Sequence, residues 1–160
     1  MNQISNLYIF KATLPEEQEA CFAIRRKIFV EEQKVPLEYE IDHYDDGALH
    51  FLALHEKRPV GTARVIMKDD GQIAKIGRMA VLSEMRGKGV GAAIMQAIEV
   101  DPDVQRTNRL VLEAQTHAIP FYEKLGYVAT GDEYLDCNIP HRFMSKDNPS
   151  AYRINKVPIL

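Results

Sequence analysis

The sequence predicts an α+β domain of three layers, in which a mixed, mostly antiparallel and twisted sheet of about six to seven strands is flanked by helices. Short apolar runs bounded by turn residues recur through the chain, which is typical of strands. Stretches with apolar residues at helical spacing lie before and after the central runs. A chain of 160 residues has the length of one domain, so we expect residues 1–160 to fold as a single domain.

The first expected elements are a strand over residues 7–12 and a helix over residues 15–30. Thr13 and Glu16 have the spacing of a capping box, and Pro15 suits the first helical turn. The apolar face of this helix consists of Ala20, Cys21, Ile24 and Ile28.

The segment over residues 31–46 is acidic and is interrupted by Pro36. It is too polar for a buried element, so it fits a second short helix or an ordered loop. Its carboxylates are Glu31, Glu32, Glu38, Glu40, Asp42, Asp45 and Asp46.

Three strands are expected next, over residues 49–54, 60–67 and 73–82, as an antiparallel meander. The second connection contains Asp70-Gly71, a pair that tolerates the positive φ of a tight hairpin turn. The remaining expected elements are a helix from Val90 to just before Asp101, a strand at 110–112, a helix at 118–125 closed by Gly126, and strands at 127–129 and 141–144.

The composition excludes several classes of function. A net charge of −3 and a pI near 6.0 give no footprint for nucleic acid or an anionic membrane. Cys21 and Cys137 fit neither a disulfide framework nor a zinc pattern, so no metal is expected. The chain has no signal-peptide pattern and no apolar run near the roughly 20 residues of a membrane span, so we expect a soluble, cytoplasmic protein.

The most informative stretch is a glycine-rich turn between a strand and a helix. Gly87, Gly89 and Gly91 alternate with other residues, and Arg86 and Lys88 add positive charge. Helix N-termini leave backbone N–H groups unpaired, and glycines let a phosphate approach them. A tight turn that needs small residues for packing is the alternative, but three glycines and two cations favour an anion cradle for a pyrophosphate.

The same residues also match the dinucleotide fingerprint G-x-G-x-x-G/A, with Glu113 as a ribose-binding candidate. The context argues against this interpretation, because an antiparallel meander precedes the motif and too few residues follow it for a doubly wound sheet. A P-loop is excluded because no Gly-Lys-Ser/Thr is present.

With these residues in view, the chain resembles the GCN5-related N-acetyltransferase (GNAT) superfamily. The acyl-CoA motif Q/R-x-x-G-x-G/A is matched at 86–91, and the second motif, an Ala followed by Phe-Tyr and Gly-Tyr, at 118–127. Similarity to the small bacterial ElaA/YjcF-like branch is carried by residues 25–36, Glu40, Asp42, Asp45, Ala114, Gln115, 139–141 and Met144.

The resemblance implies the GNAT fold and transfer of the acetyl group of acetyl-CoA (coenzyme A) to an amine of a small molecule or peptide. It also allows a homodimer, and the apolar tail at 152–160 would pack on the core or on a partner. The implied cofactor contacts are Met79, Ala80, Val81, Arg86, Gly87, Lys88, Gly89, Val90, Gly91, Ala92, Gln115 and Tyr122.

The resemblance implies that Tyr122 donates a proton to the departing CoA sulfur, although a Phe-Tyr pair in a short helix is often simple core packing. The general base is open between Glu113, His141 and Glu32, or a water chain, because Lys75 stands near the position where relatives carry a Glu. A non-catalytic acyl-CoA-binding or regulatory module is the alternative function.

The acidic segment would then bind the acceptor, and its charge would suit a cationic amine. A solvated polar face explains the same residues equally well. The candidate acceptor-binding residues are Glu32, Gln33, Glu40 and Asp42.

Overall fold

The structure, a computed structural model, describes residues 4–148. Its strands are β1 (Leu7–Lys11), β2 (Leu49–His55), β3 (Arg58–Lys68), β4 (Ile73–Val81), β5 (Arg109–Gln115), β6 (Val128–Asp136) and β7 (Ile139–Asp147). They form one sheet in the order β1-β2-β3-β4-β5-β7-β6. The β4–β5 pair is parallel, whereas β1–β2, β2–β3, β5–β7 and β6–β7 are antiparallel. The predicted α+β class and its mixed, mostly antiparallel sheet are confirmed.

Helices flank this sheet. They are α1 (Pro15–Arg25), α2 (Leu37–Glu40), α3 (Val90–Val100), α4 (Pro102–Gln105) and α5 (Ile119–Glu123), with a π-helix at Arg26–Glu32 and 3₁₀ turns at His43–Asp46, Ser83–Met85 and Thr116–Ala118. Within residues 4–148, no helix is both long and apolar enough to cross a membrane. The predicted packing of the tail at 152–160 lies outside the described residues.

The described chain divides into two compact units. The first contains residues 4–66 and 77–98, and the second contains residues 67–76 and 99–148. Strand β4 therefore begins in the second unit and ends in the first.

In the first unit, α1 begins at Pro15 as predicted, but its first hydrogen bonds differ from the predicted capping box. Leu14 is the N-cap residue, and the Glu17 carboxylate accepts from the amides of Thr13 and Leu14 at 3.1 and 3.0 Å. The prediction for Thr13 and Glu16 was wrong because Pro15 occupies the first helical position, which places the cap one residue later.

The apolar face of α1 forms the core of this unit as predicted. Cys21 is fully buried, its Sγ lies 3.6 Å from the Phe51 carbonyl oxygen, and burial raises the pKa of its thiol, so this cysteine has a packing role. The core cluster consists of Ala12, Cys21, Ile24, Ile28, Leu52 and Ala80.

The helix continues beyond Arg25 with a different hydrogen-bond pattern. Residues Arg26–Glu32 are π-helical, and the amide of Gln33 donates to the carbonyl of Ile28, five residues earlier, at 2.9 Å. The helix predicted over 15–30 thus has the right extent, but its second half is wider than an α-helix.

The acidic segment contains buried residues, contrary to the prediction for residues 31–46. It folds as α2 and a 3₁₀ turn, and Glu40 and Asp45 are only 2% and 7% exposed. The predicted short helix is present as α2, but the expectation that nothing in the segment is buried was wrong. Buried carboxylates are tolerated where buried cations pair with them, and here they do.

The hairpin between β3 and β4 is present where the sequence places it. Asp69, Asp70 and Gly71 have φ of 51°, 53° and 82°, and the amide of Gly71 donates to the carbonyl of Lys68 at 3.1 Å. The left-handed residues of this turn are therefore two aspartates as well as the glycine.

In the second unit, β5 is paired on both sides. It pairs with β4 from Ile73–Arg109 to Ile76–Leu112, and with β7 along its whole length. Strands β6 and β7 are longer than the runs at 127–129 and 141–144, because β6 is mostly exposed and carries little apolar signal.

Helix α4 was not predicted. The side chain of Asp101 accepts from the amides of Asp103 and Val104 at 3.1 and 3.3 Å, and Pro102 takes the first helical position. An aspartate followed by proline is a helix-start signal that the sequence did offer.

Candidate functional site

The glycine-rich turn leads from β4 through the 3₁₀ turn Ser83–Met85 into α3. Gly87 and Gly89 have φ of 76° and 86°, a left-handed backbone that other residues rarely adopt. A Cβ built on either glycine has no heavy atom within 4 Å. The turn thus has an open surface on which a ligand can approach the backbone closely.

The N-terminus of helix α3 gives this cradle a positive electrostatic potential. The helix has 11 residues, begins directly after Gly89, and is anchored by Val90, Ile94 and Ile98, which are almost completely buried. The first amides of a helix have no partner within it, and its macrodipole is positive at this end. An anion such as a pyrophosphate fits the start of this helix.

The cations beside the cradle have different surroundings. Arg86 donates from Nε to the carbonyl of Val81 at 3.1 Å and from Nη2 to Glu32 at 2.6 Å, whereas Lys88 is exposed. Glu32, predicted as a base or an acceptor contact, therefore pairs with an arginine of the cradle. Gln33, the next residue, caps the π-helix and is partly buried.

The other predicted acceptor residues belong to a network of arginines and carboxylates in the first unit. Arg25 donates from Nε to Glu40 at 2.6 Å and from Nη1 to Asp45 at 2.7 Å, and Arg64 donates to Asp45 at 2.8 Å. All four side chains are at least nine-tenths buried. Burial alone would raise the pKa of Asp45, but its hydrogen bonds from Arg25 and Arg64 hold that pKa well below its usual range.

Asp42 and Arg78 complete the network. Arg64 donates two hydrogen bonds to Asp42, at 2.7 and 2.9 Å, and these lower the pKa of this carboxyl group. Arg78 lies 3.3 Å from the same carboxylate. Three arginines thus balance Glu40, Asp42 and Asp45, which leaves the cluster without net charge.

The outer surface of the same segment carries apolar side chains beside its exposed carboxylates. Glu40 and Asp45 are buried, whereas Leu37, Tyr39, Ile41 and Tyr44 are 50%, 64%, 43% and 44% exposed. Four further carboxylates of the segment are exposed as well, namely Glu31, Glu32, Glu38 and Asp46. The segment that looked like an acidic surface in the sequence thus exposes more apolar area and less charge than its composition indicates.

A polar cluster lies in the second unit, where Glu113 sits on β5. Its carboxylate accepts from Lys75 at 2.9 Å and from the hydroxyl of Tyr134 at 2.7 Å. Burial alone would raise the pKa of Glu113, but these hydrogen bonds lower it. Lys75 is thus the partner of Glu113 on the neighbouring strand.

His141 belongs to the same cluster. Its ring stacks on Tyr134 with the centroids 6.0 Å apart, and its Nδ1 lies 2.6 Å from the carbonyl oxygen of Ile139. A carbonyl oxygen only accepts, so Nδ1 carries a proton, and in the neutral ring the lone pair lies on Nε2. Gln115 pairs across the sheet with His141, and its Oε1 lies 2.8 Å from Nε2 of His117.

Tyr122 lies in α5, between two aromatic rings. Its ring centroid is 4.9 Å from that of Phe121 and 6.1 Å from that of Tyr127. Tyr122 is 8% exposed, and burial raises the pKa of its phenol to about 12. The hydroxyl therefore keeps its proton at neutral pH.

Residues 79–81 form the end of β4. Ala80 is buried in the core cluster, and the amide of Leu82 donates to the carbonyl of Val60 at 2.9 Å. Met79 and Val81 are partly exposed. Among residues 4–148, no group of three His, Cys, Asp or Glu side chains could hold a metal ion.

Sequence reasoning missed the arginines of the network and Tyr134. Arg25 offered a signal, since it lies four residues after Cys21 on the apolar face of α1, where a charge requires a buried partner. The sequence contains no comparable signal for Arg78 and Tyr134, because their partners are distant in sequence.

The chain matches the family model described as "Acetyltransferase (GNAT) domain" over residues 12–148. It is 41% identical over 133 residues to the uncharacterised N-acetyltransferase YjcF of Bacillus subtilis, covering 82% of this chain and 94% of that protein. It is 30% identical over 132 residues to the protein ElaA of Escherichia coli, covering 80% of this chain and 86% of ElaA.

A solved structure supports the same grouping. An acyl-CoA N-acyltransferase from Pseudomonas aeruginosa superposes with a TM-score of 0.74 at 27% identity, covering 88% of this chain and 98% of that one.

Proposed function

Because the chain belongs to the GNAT acetyltransferase family, in its ElaA/YjcF-like branch, we propose that this acyltransferase moves the acetyl group of acetyl-CoA onto an amine of a small molecule or peptide. The observation that carries the proposal is the cradle formed by Gly87, Gly89 and the start of α3. Its left-handed glycines and open surface fit a pyrophosphate.

We assign the binding of the cofactor to residues of the first unit. The cradle residues 86–92 hold the pyrophosphate by backbone amides, with Arg86 and Lys88 as cations. The backbone of residues 79–81 pairs with the pantetheine arm in the manner of an added strand. Acetyl-CoA supplies the activated thioester.

His141 is the favoured proton acceptor for the attacking amine. In the neutral ring its Nε2 carries the lone pair, because Nδ1 donates to the carbonyl of Ile139. Glu113 is a weaker base, since Lys75 and Tyr134 stabilise its ionised form and lower its pKa. The third candidate, Glu32, has its carboxylate hydrogen-bonded to Arg86.

Tyr122 is the proposed acid. Its phenol stays protonated at neutral pH because burial raises its pKa, so it has a proton to donate to the leaving sulfur. The structure records no hydrogen bond of its hydroxyl to another described residue, which leaves the proton available for a ligand.

The test is release of free CoA thiol from acetyl-CoA over a panel of amino acids, polyamines, aminoglycosides, aromatic amines and peptides. We expect turnover with at least one amine. Acetyl-CoA binding without turnover on any amine would favour the acyl-CoA-binding module, and absence of binding would contradict both. A cytoplasmic location and a homodimer stay predictions.

A further inference from the structure

Strand β4 contains a backbone irregularity at Arg78. Its ladder with β5 has the last pair at Ile76 and Leu112, and two residues later Arg78 has φ of 51°. A non-glycine residue in the left-handed region inside a strand is unfavourable and persists only where its surroundings hold it. Residues 79–81, assigned above to the pantetheine arm, follow directly.

The side chain of Arg78 supplies such a restraint. Its Nη2 donates to the carbonyl of Glu40 at 2.9 Å and to that of Tyr39 at 3.3 Å, and its Nε donates to the carbonyl of Glu40 at 3.1 Å. Its Nη2 also lies 3.3 Å from Asp42. Its Nε also lies 3.4 Å from Oε1 of Glu40, so one guanidinium binds two backbone carbonyls and two carboxylates through its fork of donors.

The groups that Arg78 binds are themselves fixed. The Glu40 carboxylate accepts from Arg25, and Asp42 accepts two hydrogen bonds from Arg64. Arg25 and Arg64 are almost completely buried, so these groups have little freedom to move. The arginine network therefore gives the side chain of Arg78 a rigid anchor.

We propose that Arg78 is a positioning residue for acyl-CoA binding. Its guanidinium holds β4 in the left-handed turn, so that the backbone of residues 79–81 faces the pantetheine arm. This inference rests on the proposed function, because it presupposes that those residues bind acyl-CoA.

A positioning role can be distinguished from a purely structural role by comparing the binding of two ligands. The nucleotide half of CoA, adenosine 3′-phosphate 5′-diphosphate, carries the pyrophosphate but no pantetheine arm. Loss of the Arg78 guanidinium should weaken binding of acetyl-CoA while leaving this nucleotide almost unaffected. A general loss of structure would weaken both.

The experiment is calorimetric titration of wild type, Arg78→Met and Arg78→Gly with both ligands. Arg78→Met removes the guanidinium, and Arg78→Gly also removes the penalty of the positive φ. We expect the Kd of acetyl-CoA to rise about 10-fold or more in both variants, and that of the nucleotide to change less than about 2-fold. Arg58→Met, at an exposed position of β3, is the matched control and should match wild type for both ligands.

An Arg78→Gly variant that binds acetyl-CoA as tightly as wild type would overturn the inference, as would parallel losses for the two ligands. If neither variant folds, Arg78→Lys carries the comparison, and wild-type affinity of that variant for acetyl-CoA would count against the proposal. Failure of the wild-type chain to bind acetyl-CoA would overturn the proposed function as well.

Discussion

Asp45 illustrates how single residues hold the first unit together. It accepts from Arg25 and Arg64 in a region shielded from water, and its backbone carbonyl oxygen lies 2.9 Å from Nε2 of His50. Breaking such a buried pair from one side leaves an uncompensated charge. The stability of this unit should therefore depend on the ionisation of Asp45.

We predict that Asp45→Asn lowers the free energy of unfolding by about 3–5 kcal/mol at pH 7, because Arg25 and Arg64 lose a buried counter-charge. The exposed neighbour Asp46 provides the control, and Asp46→Asn should change stability by less than about 0.5 kcal/mol. Urea unfolding followed by circular dichroism measures both, and equal losses in the two variants would contradict this role for Asp45.

The same carboxyl group gives a pH dependence with a defined sign. The folded-state pKa of Asp45 is below its unfolded value, so its contribution is fully present above the ordinary pKa of about 3.9 and is lost as pH falls further. We predict that wild-type stability falls between about pH 5 and pH 2 more steeply than that of Asp45→Asn. If the free energy of unfolding, measured with urea, falls equally steeply with pH in wild type and in Asp45→Asn, Asp45 is excluded as a source of the pH dependence.

At Tyr122 we predict a kinetic effect without a binding effect. Tyr122→Phe should lower kcat about 10²-fold or more, as expected when a general acid is lost, while the Kd of acetyl-CoA stays within about 2-fold of wild type. The pairing with Phe121 and Tyr127 survives in the variant, so folding is preserved. Steady-state kinetics and calorimetry test this, and an unchanged kcat would remove Tyr122 from the mechanism.

At the scale of elements, the sequence predicted what depends on local pattern. The hairpin at Asp69–Gly71, the apolar face of α1 and the glycine turn before α3 each rest on neighbouring residues. The π-helix Arg26–Glu32 and the buried position of Glu40 depend on partners far along the chain, and the sequence alone does not show these partners. The sequence therefore placed the glycine turn correctly before α3, where a motif carries it, whereas it missed the arginine network.

The cradle permits a test with a matched element elsewhere. Gly89 and Gly71 have φ of 86° and 82°, and a Cβ on either would have no heavy atom within 4 Å. Replacement by Ala should cost each a similar backbone penalty of roughly 1–2 kcal/mol. We predict that Gly89→Ala weakens acetyl-CoA binding about 10-fold or more, because the methyl group occupies the approach to the amides, whereas Gly71→Ala does not.

Calorimetric titration together with thermal unfolding separates the two effects of this substitution. Similar losses of stability in both variants with unequal binding would support the cradle. Equal binding in the two variants would argue that the turn is only a tight connection between a strand and a helix.

For the whole molecule, we predict stabilisation by the cofactor. At about 100 times its Kd, a ligand that binds only the folded state adds about 2.7 kcal/mol, which corresponds to a rise in Tm of roughly 5–10 °C for a chain of this size. Acetyl-CoA should produce this rise in a thermal scan, and NADH should not. Stabilisation by NADH alone would revive the dinucleotide interpretation of the glycine motif.

Cooperative unfolding is the corresponding test of domain number. The described chain has two compact units, and β4 contributes residues to each of them. We predict one urea transition, coincident by far-ultraviolet circular dichroism and tyrosine fluorescence, because a small single domain unfolds in one cooperative step. Two separate transitions would contradict the single-domain prediction for residues 1–160.

The segment from Leu37 to Tyr44 contains residues that bind the arginine network and residues that face outward. Glu40 and Asp42 serve the arginine network, while Leu37, Tyr39, Ile41 and Tyr44 face outward and make none of its ion pairs. Substitutions at the outward positions leave the network intact, so the segment has separable scaffold and surface. A descendant or an engineered variant can thus change the shape and polarity of this surface without losing the fold.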